Sequence, residues 1–460
     1  MQTSKLTFCG GTGTVTGANF LLECDALHGG GKLLVDCGSY QGDRDLEKSN
    51  VMPFPYAPKG VGTLLVTHSH QDHIGRIPKL VRDGFSGVIY STPATRDLSA
   101  VMFEDALGIM ERHAREFGRE PLYAKEDVEH ALSLWQTHDY HDAFAVGDAE
   151  AMFLDAGHIL GSALVRLSHK GRTILFTGDL GNTPEPLLND TEHTELGVEP
   201  HYIVMESVYG DRLHEGREER REFLRTVIED VRKRSGVLLV PSFSVERTQV
   251  LLYELNSMVE DGQMRSLPIY MDSPLASRVT DVFRKYTKIF NKIAQARIND
   301  GDDLFSFPGL EVIKNTGESR AIHKTGNPKI IIAGAGMSSG GRIRSHEREY
   351  LGDKNATVLF VGYQTPGSLG RRIQDGAREV EIDGARVKVR ARIERLGGYS
   401  GHADRDQLLD FIEHAGDSLE KVFVVMGEPK SSIYLAQRIH DFFGISATVP
   451  EQGTSVELEW

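Results

Sequence analysis

Short apolar runs, each closed by polar or glycine-rich sequence, set the rhythm of this chain. Leu33-Leu34-Val35, Val61 to Val66 and Ile174-Leu175-Phe176 come first. Val237-Leu238-Leu239-Val240, Leu267-Pro268-Ile269-Tyr270, Lys329-Ile330-Ile331-Ile332 and Thr357-Val358-Leu359-Phe360-Val361 follow. Runs of this length, ended by turn residues, read as buried strands. Helical spacing lies between the later ones. Residues 213–235, from His214-Glu215-Gly216-Arg217 onward, carry Phe223, Leu224, Val227, Ile228 and Val231 at helical intervals, and 245–260 and 276–296 read as helices too. Strand alternating with helix predicts a parallel sheet covered on both faces. Earlier, Gly75-Arg76-Ile77-Pro78 opens a helix with Ile77, Leu80 and Val81 on one side. Residues 98–150 read as a helical insertion and 299–327 as polar loop.

Length and composition restrict the classes available. At 460 residues and 40% hydrophobic, the chain exceeds one ordinary core, so more than one domain is expected. No apolar run approaches a membrane span. Met1-Gln2-Thr3-Ser4-Lys5 leads straight into strand-like sequence without a signal-peptide profile. Three cysteines, Cys9, Cys24 and Cys37, without a Cys-x-x-Cys pair, argue for small core residues in a reducing cytoplasm. The net charge of −14 is uneven: residues 211–394 carry 31 Lys and Arg against 26 Asp and Glu, the remainder 21 against 40. An acidic body with a mildly basic middle suits a polyanionic substrate held by one lobe, or equally a solvated mixed surface.

The chemistry concentrates in Thr67-His68-Ser69-His70-Gln71-Asp72-His73, with four metal-ligating side chains in six residues. A tight turn between strand and helix can fan these around a point. His68 and His70 would then face one ion, and Asp72 and His73 a neighbour about 3.5–4 Å away. Ala156-Gly157-His158-Ile159-Leu160-Gly161-Ser162 offers one histidine in a small-residue loop, and Phe176-Thr177-Gly178-Asp179 runs a strand into an aspartate able to bridge two cations. Asp36, after Leu33-Leu34-Val35, fits a carboxylate that orients a ligand, or an ordinary turn or N-cap aspartate.

Asp36, His68-x-His70-x-Asp72-His73, His158 and Asp179 together resemble the first four motifs of the metallo-β-lactamase superfamily. That resemblance implies an α/β fold, an αββα sandwich with a dinuclear, usually zinc, site at one edge. It leaves the substrate open, because the superfamily includes lactamases, thioester hydrolases and nucleases.

Further signals follow in order. Val204-Met205-Glu206 puts an acid at a strand end. Gly334 to Arg342 and Gly362 to Arg372 are small-residue loops after buried strands, the second ending in Arg371 and Arg372. Backbone N–H groups and arginines in such loops suit phosphate, though either loop alone is as readily a mere turn. Gly398-Tyr399-Ser400-Gly401-His402-Ala403-Asp404 presents another isolated histidine. The series resembles the β-CASP branch, and its RNA-processing members most closely. The resemblance implies a metallo-β-lactamase domain over 1–210, an inserted α/β domain on a mainly parallel sheet over 211–394, and a return over 395–460. It gives Glu206 as the motif A acid and His402 as the motif B histidine. Ser400, Arg342, Arg371 and Arg372 become phosphate contacts. Arg247 is another, or a surface helix arginine. Met426, in Val425-Met426-Gly427-Glu428, stands where those members have a ligating histidine, and a thioether is a poor substitute on zinc.

The function implied is a metal-dependent phosphodiesterase cleaving single-stranded RNA, endo- or 5′-exonucleolytic, through a hydroxide bridging two zinc ions. His68, His70 and His158 would hold one ion and Asp72 and His73 the other, with Asp179 between them. Asp72, His402, Glu206 and Asp36 would serve catalysis, with His402 protonating the leaving 3′ oxygen. The second ion is expected to be weak because of Met426. Single-stranded nucleic acid, RNA before DNA, is the expected partner; no membrane is expected, and a homodimer stays open. The alternatives are a DNA nuclease of the same branch, a non-nuclease metallo-hydrolase and an inactive scaffold.

Overall fold

A computed structural model describes residues 3–42, 44–118, 120–193, 199–214, 217–365 and 367–460. Glu215 and Gly216 of the helix over 213–235, and Pro366 of the second small-residue loop, lie outside the described residues, as do Met1 and Gln2. The chain forms two compact units. One is Met1–Glu185, Asn189–Leu213 and His402–Trp460; the other is Pro186–Leu188 and His214–Gly401.

Among the described residues, the first unit is built on two seven-stranded sheets. The first runs Ser455–Glu459, Thr3–Gly10, Asn19–Glu23, Lys32–Val35, Thr63–Leu65, Val88–Ser91, Trp135–Thr137. Its first three pairings are antiparallel and its last three parallel. The second runs Ser446–Thr448, Lys421–Val424, Tyr202–Met205, Arg172–Phe176, Ala163–His169, Ala149–Asp155, Phe144–Val146, parallel over the first four strands and antiparallel beyond. Side chains alternate across each strand, so one strand feeds two cores. Leu33, Val35, Ile174 and Phe176 enter the core shared by the two sheets, with Phe8, Phe20 and Phe423. Leu34 packs outward with Ile77, Leu80 and Phe103 from helices Ile77–Arg82 and Pro93–Phe117. Leu175 packs outward with Leu408, Phe411 and Ile439 from helices Arg405–Glu413 and Pro429–Phe443. The layers are therefore helix, sheet, sheet, helix, as the motifs implied.

The second unit has a six-stranded, wholly parallel sheet in the order Leu310–Val312, Ile269–Asp272, Lys329–Ala333, Val237–Pro241, Thr357–Phe360, Arg392–Arg395. Every residue of Val237–Pro241, Ile269–Asp272 and Lys329–Ala333 is buried, as strands covered on both faces require. The pattern over 299–327 misleads, because that stretch holds the edge strand Leu310–Val312 and the helix Thr316–Ala321, both largely exposed. The helix expected over 276–296 is broken. Pro274–Lys285 ends, and Asn291 starts a new helix, Lys292–Asn299, by accepting a hydrogen bond from the Ala294 N–H. The segment 98–150 is helical only to Ser133, after which strands Trp135–Thr137 and Phe144–Val146 extend the two sheets. All three cysteines are free and buried. Burial pushes the Cys37 thiol up to about 12, which keeps it protonated.

The shared core gives a direct check. Phe8 is fully buried, with ring centroids 6.2 Å from Phe20 and 5.3 Å from Phe423. Phe8→Ala is expected to destabilise the sandwich by about 3–5 kcal/mol, read as a lowered chemical-denaturation midpoint; an unchanged midpoint would mean that the two sheets do not depend on this contact.

Candidate active site

Register places the site. Val35 pairs with Leu65 in parallel strands, so Asp36 and Thr67 leave the first sheet at the same edge. Phe176 pairs with Val204, and Met205 with Val424, so Asp179, Glu206 and Met426 leave the second sheet at its equivalent edge. Ligand sites gather beyond the carboxyl ends of parallel strands because loops there are free to converge. The two edges are tied where the Ala163 N–H donates to the Thr67 carbonyl at 2.8 Å. Gly178 has φ +53°, and a Cβ there would lie 2.7 Å from the Thr67 Cβ. Glycine is what lets Asp179 reach this edge.

Four donor atoms converge. His68 Nε2 lies 3.1 Å from His70 Nδ1, which lies 3.2 Å from His158 Nε2. Asp179 Oδ2 is 3.3 Å from His68 Nε2 and 3.5 Å from His158 Nε2. Arms of 2.0–2.1 Å around a tetrahedral zinc give edges of about 3.3–3.4 Å. The spacing therefore fits one cation, and so does the charge state. Burial first, and then the neighbouring imidazoles, hold His68, His70 and His158 below the ordinary histidine range, leaving lone pairs available. Burial would raise the Asp179 carboxyl, but His73, His68 and His402 outweigh it and hold it well below the usual range.

His73 lies beside this group. Asp36 Oδ2 accepts from His73 Nδ1 at 2.7 Å, and the same carboxylate accepts from Thr67 N–H and Oγ1–H, both at 2.8 Å. Asp36 has φ +59°, a left-handed conformation that aspartate tolerates better than most residues. Thr67, which the sequence assigns no role, shares this carboxylate with His73. Held at Nδ1, His73 turns Nε2 toward Asp179 Oδ1 at 3.2 Å, and neither atom has a hydrogen-bond partner although both are buried. Such a pair suits a second cation. Asp72 lies near enough for its charge to act on His402, and burial raises its carboxyl. However, Asp72, His73 and Asp179 do not form a three-donor cluster among the described residues, unlike His68, His70, His158 and Asp179.

Glu206 and His402 meet on the other side of Asp179. Glu206 Oε1 accepts from His402 Nδ1 at 3.2 Å and from Leu180 N–H at 2.7 Å, and Oε2 accepts from Val208 N–H at 3.2 Å. Burial draws His402 downward, but Glu206 and Asp179 outweigh it and raise it to about 9. Burial also raises the Glu206 carboxyl.

The other expected residues are placed differently. Met426 is 2% exposed and packs in the shared core, where a Cβ on Gly11 would come 2.7 Å from its sulfur. Arg342 donates to Asp272 Oδ1, and Arg371 Nε to Asp375 Oδ2 at 2.8 Å, so both guanidiniums are paired by carboxylates. Arg372 is exposed, and Arg247 and Ser400 are buried. All five belong to the second unit. A further residue carries no local signal in the sequence. Thr191 donates from Oγ1 to the Ala156 carbonyl at 2.8 Å and accepts from Gly181 N–H at 3.2 Å, tying the His158 loop to the Asp179 loop.

A buried tetrahedron of three imidazoles and a carboxylate, at the edge of an αββα sandwich, defines a metallo-hydrolase of the metallo-β-lactamase type. The metallo-beta-lactamase superfamily matches residues 13–209, the Beta-Casp domain 248–373, and the Zn-dependent metallo-hydrolase RNA specificity domain 386–450. Ribonuclease TTHA0252 of Thermus thermophilus is 38% identical over 92% of this chain and 93% of its own length. Transcription termination factor FttA of Pyrococcus horikoshii is 32% identical over 86% of this chain, and the match spans 61% of that protein. A crystal structure of a protein of unknown function from Enterococcus faecalis V583 shares the fold, with TM-score 0.55 at 11% identity, covering 99% of this chain and 100% of that one. The chain belongs to the β-CASP branch of the metallo-β-lactamase superfamily. No helix among its described residues is long and apolar enough to cross a membrane.

Removing the carboxylate behind His73 tests the arrangement. Asp36→Asn should weaken metal retention by roughly 10–100-fold in a chelator competition, with circular dichroism unchanged; full retention would mean that the His73 orientation does not depend on Asp36.

Proposed function

We propose that this protein is a zinc-dependent ribonuclease that hydrolyses phosphodiester bonds in single-stranded RNA. One observation carries the reading: a four-donor tetrahedron and a carboxylate-supported imidazole converge on the same aspartate, Asp179. The RNA assignment draws support from the RNA specificity match over 386–450 and from the Thermus thermophilus ribonuclease. Three neutral imidazoles and one carboxylate favour zinc over calcium or magnesium, which take oxygen ligands. When bound, the cation would lower the pKa of a water and draw charge from a phosphoryl oxygen.

The residues divide the remaining work. His68, His70, His158 and Asp179 Oδ2 would hold the first ion. Asp72, His73 and Asp179 Oδ1 would hold a second, more weakly, because Met426 supplies no imidazole. With Nδ1 committed to Glu206, His402 would deliver its proton from Nε2 to the departing 3′ oxygen. The three N–H and imidazole donors on Glu206 keep that carboxylate from turning away. Catalysis is assigned to 1–210 with 395–460, and substrate retention to 211–394. Among the arginines there, the exposed Arg372 is the stronger candidate for phosphate, since Arg342 and Arg371 already have carboxylate partners. Free, buried thiols support a reducing compartment such as the cytoplasm.

Chelation should abolish cleavage of a labelled single-stranded RNA without unfolding the protein; full activity in a metal-free preparation would overturn the assignment. His402→Ala should slow cleavage by roughly 10²–10⁴-fold with metal content unchanged, and loss of zinc in that variant would make His402 a ligand instead. Purified protein should hold fewer than two tight ions per chain, and Met426→His should raise that number. Two tight ions before the substitution, with no gain after it, would show that another group completes the second site.

A further inference from the structure

We propose that His193, Asp410 and His414 form a second divalent transition-metal site, one that shares no residue with the active site and does not depend on the nuclease reading. Each of the three offers a donor atom, and the three atoms lie within 4.8 Å of one another. Asp410 and His414 stand four residues apart at the end of helix Arg405–Glu413, with His414 as its C-cap. That interval puts two side chains one turn apart on one helical face, the spacing by which helices present paired ligands. His193 approaches from a loop. Its Nε2 is 3.8 Å from Asp410 Oδ2, and its ring centroid is 4.7 Å from that of His414.

The protonation pattern supports ligation. His414 Nδ1 is 2.8 Å from the Asp410 carbonyl oxygen, which can only accept. Nδ1 therefore carries a proton, and in the neutral ring Nε2 is the nitrogen with the lone pair to offer a cation. A backbone carbonyl on the distal ring nitrogen is the arrangement that orients metal-bound histidines. The distances are slightly open, since tetrahedral arms of 2.0–2.2 Å need edges of about 3.3–3.6 Å. All three side chains are partly exposed, so small χ rotations can close them. Two imidazoles and a carboxylate suit Zn²⁺, Ni²⁺ or Cu²⁺, with water in the remaining position.

Binding would fasten the loop carrying His193 to the helix that follows His402. The same loop carries Thr191, which ties Ala156 to Gly181. A cation here would thus act as a staple beneath the ligand loops.

The test uses full-length protein with its active site already zinc-loaded, titrated with Zn²⁺ alone in a calorimeter. Wild type should take up one more equivalent than His414→Ala, and its thermal midpoint should rise with added Zn²⁺ where the variant's does not. His193→Ala, on a different element, should behave like His414→Ala, so a folding defect in one variant cannot decide the result. Basal activity should match wild type in both. Equal uptake by wild type and both variants would overturn the site. Co²⁺ added to the zinc-loaded protein should give d–d absorption in wild type and none in the variants; identical spectra would also overturn it.

Discussion

The burial of Asp179 is the constraint on which the rest of this structure turns. A carboxylate with 2% exposure can stay ionised only if positive charge or donors surround it. Here the surroundings are four imidazoles, from His68, His73, His158 and His402, all within 3.8 Å of its oxygens. Two of the four, His68 and His73, leave the first sheet and could not reach Asp179, which leaves the second, without the two sheets packed face to face. One oxygen, Oδ1, still lacks a hydrogen-bond partner. A bound cation would supply the partner that this one oxygen lacks. Metal affinity and sandwich stability are then linked through one side chain. The sheet edge also carries the cost of Gly178, whose positive φ and lack of a Cβ let the chain pass close against Thr67.

How much of this was legible depends on distance along the chain. The convergence of His68 and His70 was legible because their donor character is compressed into one turn, whereas that turn alone did not show that Asp72 and His73 stand outside the four-donor cluster. The central strands of both units were legible because burial on both faces leaves unbroken apolar runs, such as Lys329–Ala333. The edge strand Leu310–Val312 was not, since an edge exposed to water needs no such run. Asn291 held a readable N-cap signal, yet the apolar spacing across 276–296 masked it. The pairing of Arg342 and Arg371 was hidden for another reason. A guanidinium looks available until its partner is known, and Asp272 lies 70 residues from Arg342. Thr191 is the same problem in reverse, an ordinary threonine whose meaning is two backbone groups in two other loops.

Met426 shows how the fold accommodates a thioether where the sheet edge meets the shared core. A histidine there would place a polar ring at the boundary of the core formed by Phe8, Phe20 and Phe423. The thioether instead packs against Gly11, whose lack of a Cβ leaves the space that the sulfur fills. The backbone hydrogen bonds hold the turn in place independently of the side chain. The Met426 N–H donates to the Gly11 carbonyl at 2.7 Å, and its carbonyl accepts from Ser207 N–H at 3.3 Å. The methionine therefore packs into the core while its backbone bonds hold the sheet edge that carries Glu206.

Glu206 and His402 are 196 residues apart in the chain, yet they hydrogen-bond where the chain leaves the sandwich and where it returns. The junction is not held by that pair alone. Tyr209 bridges Asp404, Gly181 bridges His402, Ala403 N–H donates to Leu180 at 2.8 Å, and Arg405 N–H donates to Arg212 at 3.0 Å. Closing a long loop costs little more than closing a moderate one, because the entropy grows only as the logarithm of length. An entire domain can thus be inserted between these two residues while the sandwich's own backbone bonds fix their separation. That arrangement lets the inserted unit vary without moving His402. It also explains why His402 sits in a strand-like pairing beside Asp179 rather than on a free loop: its position is set by the same edge that sets Asp179 and Glu206.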